Sequence, residues 1–368
     1  MKIKRKSTIE FFSTFLALIM AFSFSSCSIP KKNTISVTWM DADGSLIEKS
    51  YIEKSEDFEE RALPLDNDTW HYTTWKIVSS GDVIICVAQR VKKLHYIWKD
   101  YNNTILQETI GYENNPPAAP DLPISTDKWE YTEWKQDFTE TSIVFTAQRL
   151  PNDNYFSGNI FQIVLKDEKG KPLSTGSGFV INSDGWFITN NHVMEGGTSA
   201  IAYFDIEDEV TNSNYVQLPI IGGSYNSDEI DIFIGKLDNY EKIKEHYRPI
   251  NFTEDYTIGE TTYTIGYPNS SLFMQINPGT LLEEYTDIHG KINDSYYLLS
   301  DSYIAPGSSG GILINQDFEV IGITTIGLYA DSEKLVYLAG GSVPSSLFSQ
   351  EIKNLNDSNL KLLTEIYY

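Results

Sequence analysis

From residue 158 onward, short apolar runs alternate with turn residues, and this pattern limits the fold more than any other feature of the sequence. The lengths of the runs are typical of strands and too short for most helices. The runs are Phe161–Leu165, Gly178–Ile181, Trp186–Thr189, Ala200–Phe204, Tyr215–Ile221, Asp231–Leu237, Thr261–Ile265, Tyr296–Ser300, Gly311–Ile314, Val320–Ile326 and Leu335–Leu338. So many short strands predict an all-β fold, with room for two small barrels side by side. One helix is predicted, from Pro344 to Leu355.

An internal repeat occupies residues 35–150. Five landmarks recur with an offset of 59 residues. They are Trp39 and Trp98, Trp70 and Trp129, Trp75 and Trp134, Leu63-Pro64-Leu65 and Leu122-Pro123-Ile124, and Ala88-Gln89-Arg90 and Ala147-Gln148-Arg149. An unchanged offset across separate landmarks indicates duplication of a small β-rich unit. We therefore predict two units, 35–91 and 94–150, joined by a linker at 151–157 to a domain at 158–368. The six tryptophans are expected to be core residues.

Each unit has an opening Trp, a Pro-bearing centre, a Y-T-x-W motif and a closing strand that ends in Ala-Gln. In these features the unit resembles the internalin-type B-repeat. The resemblance implies β-grasp-like modules of the kind found in tandem on bacterial surface proteins. Such modules would act as a spacer or bind a surface partner, which no residue identifies.

The N-terminal sequence predicts an export signal. Lys2, Lys4, Arg5 and Lys6 precede an apolar run from Phe11 to Phe24, which is about the length of a signal-peptide core. Ser25, Ser26 and Cys27 then resemble the lipobox of bacterial lipoproteins. The resemblance implies a signal peptide at 1–26, a tether at 27–34 and acyl chains on Cys27 that anchor the protein in the bacterial cell envelope. The alternative is an ordinary signal peptide that ends near a cysteine.

Charge and composition exclude several kinds of partner. The formal net charge of −23 leaves no basic excess for nucleic acid or for docking to anionic lipid. Cys86 is the second of two cysteines and lies in an apolar run, so it is expected to be a buried, inert thiol rather than part of a disulfide scaffold. Four of the five histidines, His71, His95, His246 and His289, have no metal-ligand spacing, and we predict neither a metal nor a cofactor.

Three motifs carry the candidate chemistry. They are Gly176–Ile181 with Gly185–Val193 (GSGFVI and GWFITNNHV), Asp228–Ile234 (DEIDIFI) and Ala305–Gly311 (APGSSGG). A serine becomes a nucleophile when a histidine removes its proton and an aspartate fixes that histidine's tautomer. We therefore assign His192 as base, Asp231 as its partner and Ser309 as nucleophile. Asp228 is a rival for the aspartate, although only Asp231 directly abuts the apolar run.

Together these motifs are similar to the chymotrypsin-like serine proteases, closest to the HtrA type, over about residues 158–350. The resemblance implies a trypsin-like double β-barrel and an oxyanion hole formed by the N–H groups of Gly307 and Ser309. It also implies a substrate pocket without charged residues, which favours an apolar or small P1 side chain. The pocket residues are Tyr303, Ile323, Thr324, Thr325, Gly340 and Gly341.

The sequence departs from this family at Ser308, Phe233 and Ile312, where an Asp or Asn, a small residue and a Pro are usual. Only 24 residues follow Pro344, too few for a PDZ domain. The function expected is a lipid-anchored, extracytoplasmic serine endopeptidase that acts on protein or peptide substrates. The alternatives are a surface binding or adhesion lipoprotein with an inactive protease-like domain, and an esterase that uses the same triad.

Overall fold

The structure is a computed structural model that describes residues 33–206, 215–271, 273–285, 297–330 and 336–367. The predicted signal peptide and Cys27 lie outside these residues. The chain forms two compact units, one made of the residues up to Pro120 together with Gln136–Thr146, the other of Asp121–Lys135 together with Ala147–Tyr368. No helix in the described ranges is both long and apolar enough to cross a membrane.

The first seven strands belong to one sheet, with the order β2-β1-β4-β7-β6 and with β3 and β5 also paired to β4. The strands are β1 (Thr34–Met40), β2 (Leu46–Glu53), β3 (Trp70–Ser80), β4 (Val83–Lys99), β5 (Ile105–Tyr112), β6 (Trp129–Phe138) and β7 (Ser142–Pro151). The parallel pairing of β1 with β4 sets Trp39 opposite Cys86. The parallel pairing of β4 with β7 sets Trp98 opposite Phe145. Each residue of this second pair lies 59 positions after its counterpart in the first pair.

Three of the six repeated tryptophans are core residues, as expected. Trp39, Trp75 and Trp98 are all less than 8% exposed. Trp70 is half-buried and carries the guanidinium of Arg90 over its ring at 4.3 Å. Trp129 and Trp134 are also half-buried, and Trp70 and Trp129 pack against core residues without being fully buried themselves. The difference is physical, because a half-buried indole can bury one face and hold a cation on the other.

Cys86 lies in the core beside Trp39, with no exposed surface. Burial raises the pKa of its thiol to about 11, which keeps the nucleophilic thiolate scarce at neutral pH. We expect Cys86 to resist alkylation by iodoacetamide at pH 8 in the folded protein and to react fully in denaturant, as followed by mass spectrometry of the Cys86 peptide. Rapid modification under native conditions would contradict the buried position.

The remaining strands form two closed six-stranded barrels, which confirms the predicted all-β fold and double barrel. The first has the order β10-β13-β12-β11-β8-β9, and the second β14-β15-β16-β19-β18-β17. The strands are β8 (Ile160–Lys166), β9 (Pro172–Val180), β10 (Trp186–Thr189), β11 (Ser199–Phe204), β12 (Val216–Ser227), β13 (Ile232–Leu237), β14 (Thr261–Gly266), β15 (Gln275–Tyr285), β16 (Tyr297–Ser300), β17 (Ile312–Ile314), β18 (Val320–Tyr329) and β19 (Tyr337–Pro344).

Helices in the described residues are short. The α-helices are α1 (Asn191–Met194), α2 (Ser349–Lys353) and α3 (Leu363–Tyr367), and 3₁₀ turns cover Asp153–Phe156, Tyr240–Lys242, Lys244–His246, Pro268–Ser270, Ser345–Leu347 and Asp357–Asn359. The helix predicted from Pro344 to Leu355 is therefore shorter than expected. The backbone of Phe348 is not helical, with φ −132° and ψ 0°, and it interrupts the predicted helix. Its side chain is fully buried in the barrel core. Helices of four or five residues, such as α1 and α3, show no 3.6-residue period in the sequence.

Candidate active site

His192 and Asp231 come together at one end of the first barrel. His192 lies in α1 immediately after β10, Asp231 immediately precedes β13, and β10 pairs with β13. The Nδ1 atom of His192 is 2.7 Å from Oδ2 of Asp231, and the backbone N–H of His192 donates to Oδ1 at 2.9 Å. Asp231 has φ +54°, in the left-handed region that Asp tolerates better than most residues. Both carboxylate oxygens therefore hold the same histidine.

This arrangement fixes the chemistry of the imidazole. An ionised carboxylate only accepts hydrogen bonds, so Nδ1 of His192 must carry the proton that Asp231 receives. Nε2 is then the ring nitrogen with an available lone pair. The side chain of His192 is 48% exposed, whereas that of Asp231 is 20% exposed, so the imidazole is the more accessible of the two groups.

Ser309 lies on the loop before β17 of the second barrel. Its hydroxyl donates to the backbone carbonyl of Thr325 at 3.1 Å, and in the described part of the chain it makes no hydrogen bond to His192. Nucleophile and base are often farther apart in a substrate-free site, and rotation of one side-chain bond redirects the hydroxyl. The next residue must be glycine, because Gly310 has φ +87° and a Cβ there would lie 2.0 Å from the carbonyl oxygen of Ser177.

The backbone N–H groups of this loop fall into two sets. Those of Ser308, Gly310 and Gly311 donate to the carbonyls of Ala305, Thr324 and Ser308. Those of Gly307 and Ser309 have no acceptor among the described residues. A buried N–H without an acceptor is rare in proteins, and Gly307 is buried. The two N–H groups predicted to form an oxyanion hole are thus the two that the fold leaves available.

The peptide group between Pro306 and Gly307 is held from outside the loop. The N–H of Asn269 donates to the carbonyl of Pro306 at 2.6 Å. In a trans peptide the C=O and the following N–H point in opposite directions, so this bond also orients the N–H of Gly307. The hydroxyl of Ser177, which is fully buried, donates to the carbonyl of Gly307 at 2.8 Å and fixes the next peptide. Sequence reasoning identified neither contact, because both join distant segments.

The rival aspartate, Asp228, has a different partner. Its Oδ1 accepts from Nδ2 of Asn191 at 2.5 Å, and Oδ1 of Asn191 accepts from the hydroxyl of Tyr367 at 2.6 Å. Asn190 donates to the backbone carbonyl of Asp231 and to the hydroxyl of Thr325, each at 2.9 Å. Sequence reasoning did not single out Asn190, Asn191 or Tyr367. The only signal in the sequence was the pair of asparagines directly before His192.

The predicted pocket residues do not all have the same environment. Thr325 lies beside Ser309 and takes its hydroxyl hydrogen bond, whereas the side chain of Ile323 belongs to the barrel core. Thr324 is 1% exposed, and its hydroxyl is a buried group without a partner in the described structure. The Tyr303 ring is 47% exposed and packs 5.4 Å from Tyr337.

The glycines predicted on the far side of the pocket lie in β19. Gly341 is buried and pairs with Leu299 of β16. A Cβ on Gly340 would lie 3.0 Å from the Tyr337 hydroxyl and 3.2 Å from Ile304. Ile304 and Tyr337 therefore join the predicted pocket residues around this strand, although sequence reasoning did not name them.

Comparison with known proteins supports the chemistry that this geometry indicates. Residues 176–323 match the trypsin-like peptidase domain. The matched region includes His192, Asp231 and Ser309. Within the described residues, no group of three or more His, Cys, Asp or Glu side chains is arranged to hold a metal ion.

The proteins with similar sequences include HtrA-type and DegP-like serine proteases. Human serine protease HTRA3 is 28% identical over 193 residues, which cover 52% of this chain and 40% of the relative. A probable periplasmic serine endoprotease DegP-like from Bartonella henselae is 28% identical over 190 residues, covering 52% of this chain and 35% of that protein. The serine endoprotease from Yersinia pestis aligns in structure with a TM-score of 0.42 and 20% identity, over 55% of this chain and 65% of that one. The chain thus spans about two fifths of the length of these curated relatives. Their names support the assignment of the matched region to the class of serine endopeptidases.

Proposed function

We propose that this protein is a serine endopeptidase in which Ser309, His192 and Asp231 form the triad, with Gly307 and Ser309 supplying the oxyanion hole. The observation that carries the proposal is the double hydrogen bond from His192 to Asp231, at 2.7 and 2.9 Å. It leaves Nε2 as the proton acceptor at a site that also holds a serine and two available N–H groups. Thr325 O is the resting partner of the serine hydroxyl.

In the proposed reaction the Ser309 hydroxyl turns from Thr325 to Nε2 of His192. Its oxygen attacks the substrate carbonyl carbon while His192 takes the proton, and Asp231 stabilises the resulting imidazolium. The N–H groups of Gly307 and Ser309 bind the oxyanion. Collapse of the intermediate breaks the C–N bond, and His192 protonates the leaving amine. Water then repeats these steps on the acyl-enzyme and releases the second product with Ser309 restored.

A fluorophosphonate probe tests this proposal directly. Such probes phosphonylate an activated serine with loss of fluoride, so we expect one adduct, located by mass spectrometry on Ser309 and absent from heat-unfolded protein and from Ser309→Ala. The neighbouring Ser308 is a built-in control, because its hydroxyl is engaged by the N–H of Ala305 and it is 6% exposed. A folded protein that remains unlabelled, or a label on another residue, would refute the assignment and favour the inactive, binding-only alternative.

We also propose that the enzyme acts outside the cytoplasm, in the bacterial envelope, anchored by acyl chains on Cys27. The support comes from the charged and apolar N-terminal sequence and from relatives named as periplasmic proteases. The residues before the protease domain are proposed to be two repeated β modules that act as a spacer or bind a surface partner. Their support is the 59-residue offset, which recurs in the pairing of Trp39 with Cys86 and of Trp98 with Phe145. Metabolic labelling with a palmitate analogue, lost in Cys27→Ala, would test the anchor.

A further inference from the structure

We propose that Tyr367 is a positioning residue for the active site, holding His192 through Asn191. The inference rests on the proposed function, since it concerns the same site. Tyr367 lies in α3, outside the region 176–323 that matches the trypsin-like domain, so nothing in that match assigns it a role. It acts at a distance from the reacting atoms, through a chain of hydrogen bonds.

The chain of hydrogen bonds has a fixed direction. Asp228 can only accept, so the amide NH₂ of Asn191 must face it, and the amide oxygen must face Tyr367. The hydroxyl of Tyr367 donates to that oxygen at 2.6 Å, and the amide donates to Asp228 at 2.5 Å. Asn191 is 2% exposed, so loss of the hydroxyl would leave a buried amide oxygen that water cannot easily reach.

The position of Asn191 makes this network relevant to catalysis. Asn191 immediately precedes His192 and is the first residue of α1, a helix of four residues. A single helical turn has little stability of its own, and Asn190 makes no side-chain capping bond to it. The orientation of α1 therefore depends on tertiary contacts, which are the burial of Val193 and Met194 in the core of the first barrel and hydrogen bonds from its first two residues. Asp231 holds the helix at His192, and Asp228 together with Tyr367 holds it one residue earlier.

Tyr367 is itself firmly placed. The segment before α3 pairs with β12 through two backbone hydrogen bonds between Lys361 and Gly223, at 2.9 and 3.0 Å. Leu363 is 2% exposed and belongs to the core of the first barrel. The Tyr367 ring stacks on Phe233 with centroids 6.4 Å apart and an interplanar angle of 20°.

This stacking accounts for one departure from the family pattern. Phe233 lies two residues after Asp231, where a small residue is usual, and it is fully buried. Its ring provides the surface on which Tyr367 rests. Phe233 and Tyr367 are therefore parts of one arrangement that contacts α1 through Asn191.

The test compares Tyr367→Phe with Tyr240→Phe. Tyr240 is a matched control: it is buried in the same barrel, and its hydroxyl donates to a backbone carbonyl, that of Gly158, at 2.7 Å. Both variants lose one buried hydrogen bond, so both should lower the melting temperature by a similar amount. We expect only Tyr367→Phe to lower kcat, about tenfold with KM within about twofold, because misplacement of the base affects the chemical step. In an Asn191→Ala background the Tyr367→Phe change should have no further effect on kcat.

A second readout does not depend on proteolysis. The proton shared by His192 and Asp231 should give a low-field proton NMR signal, which we expect to shift or broaden in Tyr367→Phe and not in Tyr240→Phe. Equal effects of the two variants on kcat and on this signal would show that Tyr367 is merely structural. If the wild-type protein fails to react with the fluorophosphonate, the proposed function fails, while the NMR comparison still decides whether Tyr367 positions His192.

Discussion

Asp231→Asn is expected to lower kcat by about 10⁴-fold while the protein stays folded. The backbone N–H of His192 points at Oδ1 of Asp231, and in the variant it will keep facing an oxygen. The amide NH₂ must then face Nδ1 of His192, which turns that nitrogen into an acceptor and places the ring proton on Nε2. A protonated Nε2 cannot take the proton of Ser309. Asparagine suits the backbone here, because it tolerates the left-handed conformation of residue 231 (φ +54°).

The measurement is kcat and KM on a peptide substrate, with circular dichroism to monitor folding. The matched control is Asp238→Asn, which removes the same charge at the other end of β13, just after Leu237. Asp238 is half-buried and lies away from His192, so we expect that control to stay within about threefold of wild type. A folded Asp231→Asn enzyme with more than a tenth of the wild-type kcat would exclude Asp231 as the partner of the base.

The general architecture could be predicted from the sequence because it depends on local patterns. Short apolar runs separated by turns predicted an all-β fold with room for two small barrels, and the resemblance to chymotrypsin-like proteases implied the double barrel that the structure contains. The spacing of His192, Asp231 and Ser309 along the chain was equally visible, and the first two are in contact in the structure. The strands could be predicted because apolar residues recur in short runs, and the three site residues because serine, histidine and aspartate are the residue types that this chemistry requires.

The contacts that support the site could not be predicted from the sequence, since each joins segments that are far apart in the chain. Tyr367 reaches Asn191 across 176 positions, and Ser177 reaches Gly307 across 130. Neither side chain differs in type from an ordinary surface or core residue. The short helices α1 and α3 could not be predicted for a different reason. Tertiary contacts stabilise them, and they have no helical pattern of their own in the sequence. Phe233 was visible as a departure from the family, but its partner was not.

The second large effect is expected at Asn269, which contacts Pro306 through its backbone N–H rather than through its side chain. Asn269→Pro removes the N–H that holds the carbonyl of Pro306, and proline also cannot adopt the φ of +57° found there. The peptide before Gly307 is then free to turn, and its N–H no longer points at the oxyanion. Loss of one oxyanion donor lowers kcat by about 10²- to 10³-fold in enzymes of this mechanism. We expect a loss of that size, with KM little changed.

Asn269→Gly separates the donor from the side chain. Glycine keeps the N–H and adopts positive φ without strain, so this variant should retain kcat within about threefold of wild type. A peptide aldehyde or boronate that forms a tetrahedral adduct should bind Asn269→Pro much more weakly than wild type, since such an adduct uses the oxyanion hole. If Asn269→Pro folds and keeps wild-type kcat, the N–H of Gly307 is not oriented by this contact. If Asn269→Gly loses as much activity as Asn269→Pro, the asparagine side chain matters instead of its backbone.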